Sequence, residues 1–417
     1  IHTTLDSEMQ AAAEIARAQQ LPDTRGQFDA ALVSLDVETA AIRVMVGGAG
    51  FQPNSREVNM ALSPRQTGSS IKYFILAAAV QAGAQAGDII DGQRGCRLPN
   101  EGDPNEPIFQ ITGGVAGFIG DLRRITASSI NCGFARLSQI VGLNRVVDTT
   151  YRMASSPYLY RGQPESERIP VQPFASFATG ANEMSPLDMA SGIQTIANSG
   201  LHKEPYYVEY IDDADGNRVY THASPGTRVL DRDVALTAID VMKGVLTGGT
   251  ARRSLADFAS RRPAFGKTGT QQSNWTAFFA GATPELATAV MVRDPDRYTP
   301  MVNIDEFVDA GVPRVQGGTF PARIWGAYME EVALGQLGEQ FEFADWDRPG
   351  SPPRGPARLY LPGNECLFQI IGYEEQTPPP APEDGAPPAP EGFRSPQAPP
   401  EGTAPPPGTV PPETVPT

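Results

Sequence analysis

PAFGKTGTQ, WTAFFAGAT and LATAVMVRD, at residues 263–271, 275–283 and 286–294, are three runs rich in small, β-branched and aromatic residues. Each is of strand length, and only short connections separate them. A matching pair stands near the start: FDAALVSLDVETAAIRVMVGG, residues 28–48, reads as two strands joined by a tight turn near Glu38. What lies between is mainly helical. A helix from about Ser69 to Gln85 is apolar on most faces, the mark of a helix buried inside a domain. MSPLDMASGIQTIANSG, residues 184–200, has Ser185 as cap, Pro186 in the first turn and Gly200 after the end. DVALTAIDVMKGVL, residues 233–246, is again helical, and Asp215-Gly216 marks a hairpin. The chain returns to an amphipathic helix at FPARIWGAYMEEVAL, residues 320–334. Strands, a long helical middle, strands, then helix imply an α+β fold. Its expected core is a five-stranded antiparallel sheet flanked by helices, with a mostly helical subdomain inserted between the second and third strands.

The ends bracket this unit. TTLDSEMQAAAEIARAQQL, residues 3–21, begins like a strand, then Asp6 caps a helix with Met9, Ala13 and Ala16 on one face. Residues 1–26 are read as a linking strand and helix, and 27–340 as the main domain. Residues 341–376 are ambiguous, although LYLPGNECLFQIIGY could form a short ordered patch. From Thr377 to Thr417 proline recurs every two or three residues. Such a tail cannot build a core and is expected to be solvated and polyproline-II-like.

Composition narrows the function. Apolar residues make up 40% and charged residues 19% of 417, which is globular. The net charge of −15 disfavours nucleic-acid binding, which needs a basic face. The longest apolar stretch, Ile71–Val80, is about half the roughly 20 residues needed to span a bilayer. The chain opens on Ile1, so it reads as a piece of a longer protein, any membrane anchor lying upstream. Of three cysteines, Cys96 and Cys132 bracket a loop-rich segment, and a bridge there would suit an extracytoplasmic compartment. The alternative is three unpaired small apolar residues. No Cys-x-x-Cys or Cys/His cluster points to a metal.

Three short signals carry chemistry. Ser69-Ser70-Ile71-Lys72 is one of them, and the chain has only four lysines. The others are Ser129-Ile130-Asn131 and Lys267-Thr268-Gly269-Thr270. Residues three apart share a helix face, so Ser69 and Lys72 can meet, while Ser70 points elsewhere. A serine hydroxyl needs a base. With three histidines and no Gly-x-Ser-x-Gly elbow, a Ser-His-Asp triad is disfavoured. Lys72 can be that base if burial and a neighbouring cation, Lys267, depress its pKa. Gly266 and Gly269 flank the strand lysine and permit close approach of a ligand backbone. Thr268 and Thr270 would face a carboxylate. The N–H groups of Ser69 and Thr270 would form an oxyanion hole, each donor worth about 3–4 kcal/mol. Ser129 and Asn131 would relay protons and bind a substrate amide. Each signal also has a plain reading: a capped helix start with a surface lysine, a turn pair, an edge bulge.

Taken together, these residues resemble the transpeptidase domain of class A penicillin-binding proteins, the bifunctional peptidoglycan synthases, from about residue 3 to 335. RQTGSSIKYF resembles the family's nucleophile stretch, SFATGANEMSPLDMASGIQTIANSG the helix before the return to the sheet, and GTARRSL the approach to the last motif. The chain departs from the family at Gln271, Thr276 and Phe278, changes expected to touch substrate contacts. The glycan-polymerising domain and the anchor are expected to lie outside this stretch.

The resemblance implies a serine D,D-transpeptidase with a penicillin-binding, β-lactamase-like fold, working on the outer face of the cytoplasmic membrane. Its expected partners are peptidoglycan stem peptides, β-lactams as covalent inhibitors, and cell-wall synthesis proteins, with no nucleic acid and no cofactor. Catalysis would fall to Ser69, Lys72, Ser129, Asn131 and Lys267, and substrate binding to Thr268, Gly269 and Thr270. Alternatives are a D,D-carboxypeptidase or β-lactamase, using water as acceptor, and a non-catalytic β-lactam sensor or scaffold.

Overall fold

A computed structural model describes residues 1–50, 57–100, 103–114, 116–154, 171–335 and 355–361. All belong to one unit, residues 1–367. The proline-rich tail lies outside the described residues, as does most of 341–376.

The first two strands are β1 (Asp29–Asp36) and β2 (Ile42–Val46). The later three are β3 (Phe265–Thr270), β4 (Thr276–Ala282) and β5 (Leu286–Arg293). They form one antiparallel sheet in the order β3-β4-β5-β1-β2. The two sequence-distant halves join where β5 pairs with β1 over eight residues, Leu286 opposite Asp36 through Arg293 opposite Asp29. This seam is central and covered on both faces, which explains why β5 is buried at every position. Successive side chains go to opposite faces. Ala31, Val33 and Leu35 enter the larger core, Ala30 and Leu32 the smaller.

Helices cover both faces. The smaller core holds α1 (Ser7–Gln20), which the Asp6 carboxylate caps as expected by accepting from Glu8 and Met9 N–H. Against it packs the long C-terminal helix Phe320–Gly335. The larger core is built on α2 (Lys72–Gln81), buried at every residue from Lys72 to Val80. α2 stops four residues before its expected end, because Gly83 takes a left-handed φ of +100° and the Ala84 N–H turns back to the Ala79 carbonyl. Its start also differs: Gly68–Ile71 forms a 3₁₀ turn, not an α-helix.

The inserted region carries α3 (Leu122–Ala127), α4 (Asn131–Val141) and α5 (Leu143–Met153). α6 (Pro186–Ala197) has the expected Ser185 cap, closed into a capping box by Asp188. α7 is Arg232–Thr247 and α8 is Arg252–Arg261. Short strands stud the insertion, among them Arg97–Pro99 paired with Ile108–Gln110. Cys96 and Cys132 are bonded, tying that hairpin to the first turn of α4. Part of the ambiguous extension is ordered: Arg358–Leu359 pairs in parallel with Ile89–Ile90. Among the described residues no helix is long and apolar enough to cross a membrane.

Candidate active site

The 3₁₀ turn sets the first pair. In a 3₁₀ helix residues i and i+3 eclipse, so Ser69 and Lys72 are stacked on one face. The Lys72 N–H donates to the carbonyls of Ser69 and Ser70. Ser70 is buried, and its hydroxyl is spent on the Thr67 carbonyl at 2.8 Å. Ser69 is half-exposed, and its hydroxyl makes no hydrogen bond among the described residues. Of the two serine hydroxyls, only that of Ser69 is therefore left uncommitted among the described residues.

Glycine lets the turn meet the sheet. Gly68 has φ +55°, and a Cβ there would lie 2.4 Å from the Thr270 carbonyl carbon. A Cβ on Gly269 would lie 2.2 Å from the Thr67 carbonyl oxygen. No L side chain fits either place, so the backbone around Ser69 rests directly on Gly269–Thr270. Strand β3 ends the sheet, and among the described residues no strand pairs with its outer edge. The Gln271 N–H bonds inward to Thr276 O. By strand alternation the N–H groups of Thr268 and Thr270 therefore point outward, beside the Ser69 turn.

Ser129 occupies the linker between α3 and α4 with φ +55°, a left-handed conformation rare for serine. The turn is held by Ser129 N–H to Thr126 O at 3.0 Å. There the Ser129 hydroxyl accepts from Lys267 Nζ at 2.8 Å and lies 3.4 Å from Lys72 Nζ. Lys72 Nζ also donates to the Ser129 carbonyl and to Asn131 Oδ1, both at 2.8 Å. Residues 72, 129, 131 and 267 are thus brought into one cluster. Thr268 and Thr270 adjoin it on β3, Thr268 nearly buried and Thr270 half-exposed.

Both lysines are fully buried, and neither has a carboxylate partner among the described residues. Burial pulls the Lys72 ammonium well below its usual range, and the charge of Lys267 pulls it further. Burial alone lowers Lys267 to about 7. Burial therefore favours the uncharged amine at Lys72. Its two N–H bonds match the two carbonyl-type acceptors at 2.8 Å, which leaves the lone pair free to take a proton. Among the described residues no carboxylate neutralises either amine, so the site is basic in character.

The departures at Thr276 and Phe278 lie buried within β4, Phe278 in the larger core, so they do not line a ligand surface. The Gln271 carboxamide accepts from Ser273 and Trp275 N–H and shapes the β3–β4 turn. Sequence reasoning missed Thr250, whose hydroxyl lies 2.6 Å from that of Thr268. No local pattern marks it, although it stands within GTARRSL. Among the described residues no cluster of His, Cys, Asp and Glu could hold a metal.

The family model for the penicillin binding protein transpeptidase domain matches residues 30–304. Penicillin-binding protein 1A of Neisseria meningitidis is 30% identical over 320 residues, 74% of this chain and 36% of that protein. Penicillin-binding protein 1A of Aquifex aeolicus is 28% identical over 332 residues, 78% of this chain and 40% of that protein. The chain thus spans well under half the length of these relatives. Among solved structures, PonA1 of Mycobacterium tuberculosis in complex with penicillin V matches with a TM-score of 0.66 and 26% identity. That match covers 82% of this chain and 87% of PonA1 as solved.

Proposed function

The chain belongs to the penicillin-binding protein transpeptidases, as the transpeptidase region of a class A member, and from that premise we propose that it is a serine D,D-transpeptidase. The donor is a peptidoglycan stem peptide ending in D-Ala-D-Ala, which lies along the outer edge of β3 as an added strand. Its terminal carboxylate meets Lys267 and the hydroxyls beside it, supplying an anion for the buried lysines. The scissile carbonyl oxygen sits between the N–H groups of Ser69 and Thr270.

Lys72, uncharged, takes the Ser69 proton as Oγ attacks the carbonyl carbon. The C–N bond then breaks, and the leaving D-alanine amine takes a proton from the Ser129 hydroxyl. Lys72 returns one to Ser129, so the protonation states are restored when the acyl-enzyme stands. An amine from a second stem attacks the ester, its excess proton leaving by the same route, and Ser69 is released. Asn131 holds Lys72 and the substrate amide. A β-lactam follows the first half of this path and remains on Ser69. The Cys96–Cys132 bridge fits work outside the cytoplasmic membrane.

The observation that carries this reading is a single hydroxyl, that of Ser129, set between two buried lysines beside the Ser69 turn. Intact mass spectrometry with benzylpenicillin tests it: the wild-type chain gains one penicilloyl mass and Ser69→Ala gains none. An equal gain in both refutes the nucleophile. A stem-peptide mimic plus an amine acceptor separates the alternatives: cross-linked product supports transpeptidation, D-alanine with hydrolysed peptide alone supports a carboxypeptidase, and neither supports a sensor.

A further inference from the structure

The connection between α7 and α8 places an unassigned side chain, that of Thr250, against Thr268 on β3. Thr250 is exposed, yet its backbone is fixed from two sides. Its N–H donates to Ala127 O at 3.0 Å, two residues before Ser129. On the other side a Cβ on Gly318 would lie 2.1 Å from the Thr250 carbonyl oxygen, so the 317–318 turn is pressed against it. The same turn reaches the site, where Gly317 N–H donates to Thr270 Oγ1 at 3.1 Å. The Thr250 hydroxyl is thus held on the nearly buried Thr268 hydroxyl, at 2.6 Å.

We propose that Thr250 is a specificity-determining residue for the ligand carboxylate, acting with Thr268 and Thr270. The inference rests on the acyl-enzyme reading above. Proton counting supports it. Each hydroxyl carries one proton and can accept as well. Thr270 Oγ1 already accepts from Gly317, so its own O–H is free to donate. In the Thr250–Thr268 pair one hydroxyl donates to the other, so the pair offers one further O–H. The cleft therefore presents two hydroxyl donors, one on Thr270 and one from the pair, in which the internal bond polarises the outward one. That is the complement of a carboxylate, which only accepts. The local charge agrees: Arg252 and Arg253, opening α8 just after Thr250, are exposed and make no ion pair among the described residues. In a chain of net charge −15 this corner attracts anions.

Second-order rates of Ser69 acylation, read by intact mass, test this with benzylpenicillin and its methyl ester, which lacks the carboxylate charge. Thr250→Val leaves the Thr268 O–H as donor but removes its polarisation, so it is expected to slow the acid about threefold, roughly 10–30% of a charge-assisted hydrogen bond, and to leave the ester rate unchanged. Thr250→Ser should restore the acid rate. Equal slowing of acid and ester, or no slowing of the acid, overturns the assignment. The acid-to-ester ratio within one preparation is independent of its folded fraction, and Thr250→Ala gives the same comparison if the valine variant does not fold. Absence of any Ser69 adduct in the wild-type chain would instead overturn the acyl-enzyme reading itself.

Discussion

Replacing Lys267 by methionine keeps most of the side-chain volume and removes the cation nearest Lys72. Both amines reach the Ser129 hydroxyl, at 3.4 and 2.8 Å, so their nitrogens are no more than about 6 Å apart. At an effective dielectric constant of about 20, unit charges at about 6 Å repel by roughly 3 kcal/mol, or about two pK units. Lys267 carries its charge below about 7, and there that charge opposes protonation of Lys72. Only uncharged Lys72 can accept the Ser69 proton. Lys267→Met therefore raises the Lys72 pKa and moves the acid limb of the acylation profile to higher pH, by up to about two units. Burial, the larger cause, stays in place, so the limb should not reach the range of an ordinary lysine. The assay is the second-order rate of acylation by benzylpenicillin across the acid and neutral range. A lower rate at every pH is expected as well, from the lost contact to Ser129, and decides nothing. An acid limb that stays put, or moves to lower pH, refutes the coupling of the two lysines.

Three further outcomes follow from the same structure. Folded Lys267 titrates near 7 against an ordinary 10.5, so between those values the unfolded chain binds the extra proton and stability rises with pH. Lys267→Met should therefore be the more stable protein at pH 7, by on the order of a few kcal/mol, the gap closing towards pH 10.5; equal denaturation midpoints at pH 7 would count against this. The Cys96–Cys132 bridge closes a separation of 36 residues, worth about 4 kcal/mol by chain entropy, and fixes the turn that begins with Asn131. Reduction should lower the unfolding midpoint and slow acylation together; acylation at the full rate after verified reduction would show that the bridge does not support the site. Gly68→Ala puts a methyl group 2.4 Å from the Thr270 backbone, so the Ser69 turn must leave β3 and one oxyanion donor is lost. Acylation should fall about a hundredfold or more with the far-ultraviolet dichroism preserved, and a normal rate would show that the two N–H groups do not act together.

The local signals translated well because they report local physics. The Asp6 and Ser185 caps, the Asp215-Gly216 hairpin and the all-round apolar α2 each depend on a few neighbouring residues. Errors came where a distant or competing bond intervened. The bond from Ala84 N–H back to Ala79, made possible by a left-handed Gly83, ended α2 early, and the pressure of β3 on Gly68 accompanies the tightening of the Ser69 turn to 3₁₀. The short helix Asp305–Asp309 and the small strands of the insertion had too few residues to show a period.

For the site, the order of the three motifs and the three-residue offset of Ser69 from Lys72 were legible in the chain, since spacing along a helix decides which side chains share a face. Three things needed the tertiary structure. Lys72 and Lys267 bracket one hydroxyl that is 57 and 138 residues away from them in sequence. Cys96 pairs with Cys132, and Thr250 joins Thr268. The reason is that a lysine becomes a base only when packing from every side removes its water. That desolvation, the largest cause acting on both amines, belongs to the whole fold and to no stretch of sequence.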